Sequence, residues 1–299
     1  MRRAFYTLDV FTDVALAGNP LAVVLDCEGL DEARMQAIAR EFNLAETIFV
    51  MEPRNPINTA RLRIFTPARE LPFAGHPTVG AAVLLAHLRA PDLLAREDLR
   101  IVIEEQVGEI VCIARHRKAQ AMAAYFTLPK LPQALGEAPS AQALADDLGL
   151  AIGDIGVSGH RPARYGAGTP FLFIPIASLD AIARARPDLK RWGEDGGAAA
   201  YLYTNEVRTQ GSNWHARMFG AGWGVVEDPA TGSAAAAFAG VIMQYERPGE
   251  GDHMFIIEQG MEMGRPSYIS LGIDIERGAL RSATIGGSAV IVSQGAVDL

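Results

Sequence analysis

Hydrophobic and polar residues follow two different periods along the first half of the chain. Runs in which apolar or β-branched residues alternate with polar ones predict strands, and apolar residues spaced three and four apart predict helices. These patterns predict strands over residues 4–10, 21–26, 47–51 and 61–66, helices over 31–42 and 76–88, and a hairpin of 100–104 with 109–114.

The second half of the chain repeats this order of elements. It predicts strands over residues 171–175, 199–204 and 214–219, helices over 178–186 and 233–245, and a hairpin of 254–258 with 268–275. Residues 128–140, between the halves, contain Pro129, Pro132 and Pro139. A stretch so rich in proline is typical of a linker.

Four short patterns occur twice in the same order, at separations of about 150 residues. The separations are similar, so chance is a poor explanation and we expect an internal structural duplication. The pairs are Gly18-Asn19-Pro20-Leu21 with Gly168-Thr169-Pro170-Phe171, residues 37–40 with 181–184, Arg63-Ile64-Phe65 with Arg217-Met218-Phe219, and residues 70–76 with 227–233.

The second predicted helix of each half is apolar on every side. Residues 79–86 read VGAAVLLA, and residues 234–242 read AAAAFAGVI. A helix of this kind is buried all round rather than lying on a surface. We therefore expect an α+β protein of two pseudo-symmetric halves, each a mixed sheet wrapped around a central helix. Short turns between strands make a doubly wound parallel sheet the weaker alternative.

The composition narrows the functional classes. The chain has 299 residues, 49% of them hydrophobic, and a formal net charge of −8 without a dense Lys/Arg cluster. Nucleic acid is therefore not the expected partner, and an anion must be bound by local donors. Acidic residues interrupt the N-terminal apolar run, and the longest apolar run is too short for a bilayer. We expect a cytoplasmic protein without membrane attachment.

Cysteine is rare in this sequence. Cys27 and Cys112 both stand in or beside apolar strand-like runs. Two cysteines exclude a disulfide framework and nearly exclude a cysteine metal site, so we expect both to be small buried residues and predict no metal.

Glycine precedes both apolar helices, at Gly75 and Gly232. A helix start carries unpaired backbone N–H groups and a partial positive charge, and glycine lets a ligand approach the backbone closely. Both starts are therefore candidate anion sites, and in a two-fold arrangement they would face one cleft. The alternative is a pair of ordinary N-caps, for which Thr231 and Ser233 are suitable residues.

Three ionisable residues near these helix starts are candidates for proton transfer. His76 titrates near neutral pH, and Asp228 lies in the loop before Ser233. Glu46 stands between a helix and an apolar strand, where partial burial would suit proton abstraction. The corresponding stretch of the second repeat, residues 194–197, has different spacing, so Glu46 breaks the symmetry. The alternative for Glu46 is a solvated charge at a helix exit.

Two long motifs resemble those of a known family, the PhzF-like isomerases of phenazine biosynthesis. The resemblance covers essentially the whole chain. It is carried by residues 65–67 and 70–78 (FTP, ELPFAGHPT), residues 227–234 (EDPATGSA), residues 9–12 through 18–20, residues 258–260 with 264–267, and residues 286–290.

This resemblance implies the diaminopimelate epimerase-like fold. It implies a first domain of residues 1–119 to which residues 287–299 return, and a second domain of residues 120–286. Epimerases of this fold use two cysteines, one per domain, but His76 and Ser233 stand at the helix starts here. Two-cysteine racemase chemistry is therefore excluded.

The resemblance also implies an activity like that of trans-2,3-dihydro-3-hydroxyanthranilate isomerase. In that reaction a Glu removes a proton from a ring carbon and returns it elsewhere on the ring. The implied catalytic residues are Glu46, His76 and Asp228, and the implied substrate-binding residues are Gly75, Gly232, Ser233 and Asn19. No cofactor is implied, and the expected partners are a small carboxylate metabolite and a second copy of the chain in a homodimer.

One residue departs from the family pattern. Ala45 stands where members with this activity often have Ser before the Glu, which leaves the substrate open. The leading hypothesis is an isomerase that moves a proton on a small cyclic or unsaturated carboxylate. The alternatives are a metabolite-binding or partner-binding protein on the same scaffold, and a Glu/His epimerase.

Overall fold

The computed structural model describes residues 2–116, 121–187, 199–220 and 225–299, so residues 194–197 lie outside the described part of the chain. The described helices are α1 (Glu32–Phe42), α2 (Gly75–Arg89), α3 (Pro91–Leu94), α4 (Ala141–Leu148), α5 (Leu179–Arg184) and α6 (Gly232–Tyr245), with 3-10 turns at Ile152–Asp154 and Met261–Met263.

The strands comprise β1 (Arg2–Val10), β2 (Asn19–Val24), β3 (Glu46–Met51), β4 (Ala60–Phe65), β5 (Glu70–Leu71), β6 (Leu99–Glu105), β7 (Gly108–Arg115), β8 (Ala123–Thr127), β9 (Gln133–Ala134), β10 (Ala163–Gly166), β11 (Pro170–Pro175), β12 (Ala199–Thr204), β13 (Trp214–Gly220), β14 (Val225–Asp228), β15 (Gly251–Gln259), β16 (Ser267–Glu276) and β17 (Ala279–Asp298).

The chain divides into two compact units. The first contains Met1–Pro129 and Gly286–Leu299, and the second contains Lys130–Ile285. The boundary expected between residues 119 and 120 falls earlier than the observed one, because β8 pairs with β7 inside the first unit. The expected linker, residues 128–140, contains β9, which pairs with β10 in the second unit.

Eight strands of the first unit form a closed barrel. Strands β1, β2, β3, β4, β6, β7 and β8 each pair with the next one in this order, and β17 pairs with both β8 and β1. Helix α2 packs against strands around this barrel, among them β1, β6, β7 and β8. All of its residues from Gly75 to Ala86 are buried, which confirms the prediction of a helix that is apolar on every side.

Strand pairing in the second unit follows the same scheme. Parallel β2–β3, antiparallel β3–β4, parallel β4–β6 and antiparallel β6–β7 have counterparts in β11–β12, β12–β13, β13–β15 and β15–β16, with the same directions. The short strands β5 and β14 pair with β4 and β13 in the same way. This agreement confirms the expected α+β class and excludes the doubly wound parallel sheet.

Helix α6 is the buried helix of the second unit. It contacts β9, β10, β11 and β16. Phe238, near its middle, meets the rings of Phe173, Tyr201, Tyr203 and Trp214 at centroid distances of 4.7 to 6.0 Å. Aromatic pairs at these separations stabilise a core beyond the area they bury. Gly240 faces the Tyr165 ring, where a Cβ atom would collide with ring atoms.

Several elements lie outside the predicted pattern. The sequence did not predict β8, β10, α4 or the length of β17. The described helices include none that is long and apolar enough to cross a membrane.

Barrel closure supplies a test of the first unit. A Cβ atom on Gly286 would lie 2.6 Å from the Ala124 carbonyl oxygen and would also collide with the Tyr125 ring. We expect Gly286→Ala to lower the free energy of unfolding by about 1–3 kcal/mol, because backbone must shift to admit the methyl group.

Urea unfolding of purified protein measures this effect. Gly272→Ala is the matched control, because its nearest atoms, in Met254 and Thr284, lie 3.4 Å or farther from an added Cβ. An equal effect of the two substitutions would contradict the close approach at Gly286.

Candidate active site

Glu46 and His76 meet within the first unit. Glu46 begins β3, and His76 lies in the first turn of α2. The distance between Glu46 Oε2 and His76 Nε2 is 3.1 Å, and the two side chains are 16% and 6% exposed. The separation is within hydrogen-bond reach, although the two atoms are not aligned as a hydrogen bond in this structure. The structure therefore brings together two of the three residues predicted to be catalytic, and Glu46 is not a solvated charge at a helix exit.

His76 is neutral at physiological pH. Burial lowers the pKa of its imidazole to about 3, because the charged form loses its hydration. A neutral imidazole carries one N–H and one bare nitrogen, so it can donate a hydrogen bond to a carboxylate or accept one from a carboxylic acid. Contact with His76 is therefore possible in both protonation states of Glu46, which suits a base that takes up and returns a proton.

Strand register identifies the counterpart of Glu46 in the second unit. Glu46 lies opposite Leu21 in the β2–β3 pair, and Ala199 lies opposite Phe171 in the β11–β12 pair. Leu21 and Phe171 are equivalent in the repeated sequence pattern. The second unit thus has alanine where the first has the carboxylate. Glu46 therefore breaks the symmetry, as expected. Its counterpart is Ala199, however, and not a residue of the stretch 194–197 that the sequence spacing indicated.

Side-chain capping is absent from both buried helix starts. Ala74 and Thr231 are the N-cap residues, and in the described structure neither α2 nor α6 has a side-chain cap. The ordinary N-cap alternative is therefore wrong for Thr231 and Ser233. The Thr231 hydroxyl instead donates to Asp228 Oδ2 at 2.5 Å. First-turn N–H groups that are not capped suit an anionic ligand.

Gln259 braces the loop that carries Asp228. Its Nε2 donates to the Asp228 carbonyl at 2.7 Å, and its Oε1 accepts from the Thr231 backbone N–H at 3.2 Å. Asp228, half-buried at the end of β14, is thereby held beside the start of α6, where Gly232 is buried and Ser233 is half-buried. Sequence reasoning missed Gln259, because its role depends on contacts across about thirty residues of chain.

Asn19 lies at the same end of the first-unit sheet as Glu46. It begins β2 and is fully buried, two residues before Leu21, the parallel partner of Glu46. Two residues of strand span about 7 Å. Its predicted role in substrate binding stays a prediction.

A bidentate Arg–Glu pair precedes the buried helix in each unit. Arg63 donates to both carboxylate oxygens of Glu70 at 2.7 and 2.6 Å, and Arg217 donates to those of Glu227 at 2.8 and 2.9 Å. Each guanidinium also lies over the ring two residues further along its strand. The hydrogen bonds from Arg63 hold the pKa of Glu70 below its usual value. The repeated arginine and glutamate were visible in the sequence, but not their pairing.

Both cysteines are buried inside the first unit, as predicted, and neither stands at a helix start. Burial raises the pKa of the Cys27 thiol to about 12 and raises that of Cys112 as well. Thiols that stay protonated at physiological pH are poor nucleophiles and poor bases. Among the described residues no group of three or more His, Cys, Asp or Glu side chains could hold a metal ion.

Comparison with known proteins identifies the family of this chain. The family model of phenazine biosynthesis-like proteins, PhzC-PhzF, matches residues 8–295. The chain belongs to the PhzF family. It is 48% identical, over 98% of both sequences, to an uncharacterised isomerase of Mesorhizobium japonicum. It is 34% identical, over 99% of both sequences, to the trans-2,3-dihydro-3-hydroxyanthranilate isomerase of Pseudomonas fluorescens.

Solved structures confirm the fold of this PhzF family member. A PhzF family protein of Bacillus anthracis matches 100% of both chains with a TM-score of 0.89 and 27% identity. A hydroxyproline epimerase of Agrobacterium vitis, with a TM-score of 0.65 and 11% identity over 99% of this chain and 92% of its own, shares the fold alone. The diaminopimelate epimerase-like fold is thus confirmed, and the chain is an isomerase of the PhzF family.

The two arginine pairs differ in burial, which gives a stability test. Arg217, whose side chain is 6% exposed, also donates to the carbonyls of Ile182 and Ala185, whereas the side chain of Arg63 is 23% exposed. We expect Arg217→Lys to reduce the free energy of unfolding by about 2 kcal/mol, because lysine has no planar fork to replace these bonds.

Arg63→Lys is the internal control. It should lower the free energy of unfolding by less than Arg217→Lys, because water can replace part of the contacts of the more exposed Arg63. Denaturant titration of the two variants beside the wild type gives both values. An equal or larger loss at Arg63 would contradict the proposed difference.

Proposed function

We propose that this isomerase moves a proton on a small cyclic or unsaturated carboxylate, with Glu46 as the base. The observation that carries the proposal is the 3.1 Å contact between Glu46 and His76 beside an uncapped helix start. Support also comes from the relatives named trans-2,3-dihydro-3-hydroxyanthranilate isomerases, at 33 to 34% identity.

The proposed reaction conserves every atom of the substrate. The Glu46 carboxylate takes a proton from a ring carbon, and the electron pair left behind is delocalised into the adjacent unsaturated system. The Glu46 carboxylic acid then returns the proton to a different carbon, which shifts the double bond and restores the carboxylate. Such a step needs a positioned base and a site from which water is excluded, and it needs no redox group.

His76 has the role of a neutral hydrogen-bonding group in this scheme. Its burial opposes formation of an imidazolium, so proton transfer falls to Glu46. His76 orients the carboxyl group and supplies either an N–H or a bare nitrogen, as the protonation of Glu46 changes. The absence of a second carboxylate at Ala199 makes the chemistry one-sided.

In the first unit we assign carboxylate binding to the N–H groups of the helix start at Gly75, with Asn19 as a further ligand. In the second unit we assign it to those of the helix start at Gly232, with Ser233. Asp228, braced by Thr231 and Gln259, is assigned an assisting role. A homodimer remains a prediction.

Ala45 bears on the identity of the substrate. It is half-buried and lies directly before Glu46, so no hydroxyl is available at that position. A substrate without a polar group facing position 45 fits this site better than one that needs a hydrogen bond there.

Replacement of the base tests the proposal directly. We expect Glu46→Gln to lower turnover of trans-2,3-dihydro-3-hydroxyanthranilate or related cyclic carboxylates by about 10²- to 10⁴-fold, because the amide does not accept the proton. Deuterium incorporation from D₂O, located by NMR, is the measurement. Glu41→Gln, an exposed glutamate at the end of α1, is the matched control.

The position of deuterium separates the candidate reactions. Label at a carbon that gains hydrogen while the double bond moves supports the isomerase, and label with inversion at one carbon supports the epimerase. Full turnover by the Glu46→Gln variant would show that Glu46 is not the base.

Replacement of Ser233 tests the carboxylate site. We expect Ser233→Ala to raise KM for the carboxylate substrate roughly fivefold and to leave kcat within about twofold, because one uniform binding contact is lost. Steady-state kinetics on the substrate identified above give both constants. An unchanged KM would remove Ser233 from the site.

A further inference from the structure

Glu105 of the first unit and Gln259 of the second occupy equivalent positions. Glu104 pairs with Arg61 of β4, and Glu258 pairs with His215 of β13. Arg61 and His215 are equivalent, because each lies two residues before the repeated arginine of its strand. The next residue in each strand is Glu105 or Gln259. The two units therefore carry a carboxyl group and an amide at the same place in the repeated fold.

Gln259 shows what this position does in the second unit. Its Nε2 donates to the Asp228 carbonyl and to the Thr231 hydroxyl, and its Oε1 accepts from the Thr231 N–H. An amide provides a donor and an acceptor at every pH. A glutamate provides a donor only when its carboxyl group carries a proton.

Both short contacts of the Thr78 hydroxyl can be hydrogen bonds at the same time only if Glu105 carries such a proton. Thr78 Oγ1 lies 2.7 Å from Glu105 Oε1 and 2.7 Å from the Ala74 carbonyl oxygen. A hydroxyl has one proton to donate, and a carbonyl oxygen only accepts. When Thr78 donates to Ala74, the short contact with Glu105 is a hydrogen bond only if Glu105 is the donor.

The surroundings of Glu105 also disfavour a charge. The residue is 9% exposed, and in the described structure its buried Oε2 has no hydrogen-bond partner. A charged carboxylate in this position would lose its hydration without full compensation. Burial raises the pKa of Glu105 to about 8, although the contact with Thr78 acts in the opposite direction.

The titratable neighbours of Glu105 are both neutral. Burial, and next the charge that Glu105 would carry, raise the pKa of the Cys112 thiol in β7. Cys112 is therefore protonated and neutral. His76, two residues before Thr78 in α2, is kept neutral by burial. Neither group supplies a positive charge that would stabilise a Glu105 carboxylate.

We propose that Glu105 is a positioning residue whose protonated carboxyl group donates to Thr78 and thereby fixes the first turn of α2, which carries His76. Its importance for catalysis rests on the proposed function of Glu46 and His76. Its effect on the helix start does not, so the two can be tested separately.

The pH dependence of stability provides the first test. The folded-state pKa of Glu105, about 8, exceeds the ordinary value of 4.5, so its stabilising contribution is complete below about pH 4.5 and is lost as pH rises towards 8. Glu105→Gln keeps a donor and does not titrate. The Tm of this variant minus that of the wild type should therefore increase by about 3 °C or more between pH 5 and pH 8.

Glu97→Gln is the control for this measurement, because it removes the same charge from an exposed side chain. Its Tm difference should stay nearly constant over that range. A Glu105→Gln difference as flat as that of Glu97→Gln would overturn the proposal.

The second test measures the helix start itself. Glu105→Leu removes the donor, so hydrogen exchange at the Thr78 amide, which donates to the Ala74 carbonyl, should become roughly tenfold faster. Turnover of trans-2,3-dihydro-3-hydroxyanthranilate should fall by a similar factor, and Glu105→Gln should retain wild-type values of both. Equal impairment by Gln and Leu would overturn the proposal.

These outcomes separate the two ideas. If the wild-type protein does not turn over any tested carboxylate, the proposed function fails, and Tm and amide exchange still decide the role of Glu105. If Glu105→Leu does not fold, the pH dependence of Glu105→Gln decides it alone.

Discussion

A helix buried on every side needs partners other than bulk water for the backbone N–H groups of its first turn, and both units of this isomerase contain such a helix. Neither α2 nor α6 has a side-chain cap in the described structure. Other side chains hold the entering loops instead: Arg63 with Glu70 in one unit, and Arg217 with Glu227 in the other. The loops are thereby held in place without a cap on the helices. The proposed anion site would follow from how the core is assembled.

Duplication supplies the scaffold, and a few substitutions supply the chemistry. The strand pairings of the two units agree in order and direction, so register identifies equivalent residues without reference to side chains. Three equivalent positions differ in proton chemistry. Glu46 corresponds to Ala199, His76 to Ser233, and Glu105 to Gln259. All three groups that can gain or lose a proton lie in the first unit, and their counterparts do not titrate in the range of physiological pH. At these three positions the second unit lacks the acid–base capacity of the first, although it carries Asp228 where the repeat of the first unit has Leu71.

The sequence predicted the parts of this structure that depend on local pattern. The two buried helices followed from their uniform apolarity, and the hairpins from alternation, with bounds within a few residues of those observed. The sequence pattern did not show that β17 closes the barrel, because closure depends on pairing between residues far apart in the chain. The return of residues 287–299 to the first domain was expected only from the family resemblance. Glu46 and His76 were predicted from motifs, but their contact required the fold. Glu105 escaped notice because nothing local distinguishes it from Glu104. Both side chains are 9% exposed, and only their partners differ: backbone N–H groups donate to Glu104, whereas Glu105 contacts the Thr78 hydroxyl.

Strand β17 has a consequence for biosynthesis. It runs from Ala279 to Asp298, and its later part, from Gly286, belongs to the first unit. The second unit is therefore a continuous stretch of chain, but the barrel of the first unit is completed by residues that leave the ribosome after all of the second. Until then the nascent barrel exposes two strand edges, β1 and β8, around a strongly apolar helix. Unpaired edges of this kind are open to pairing with other chains until the last strand arrives.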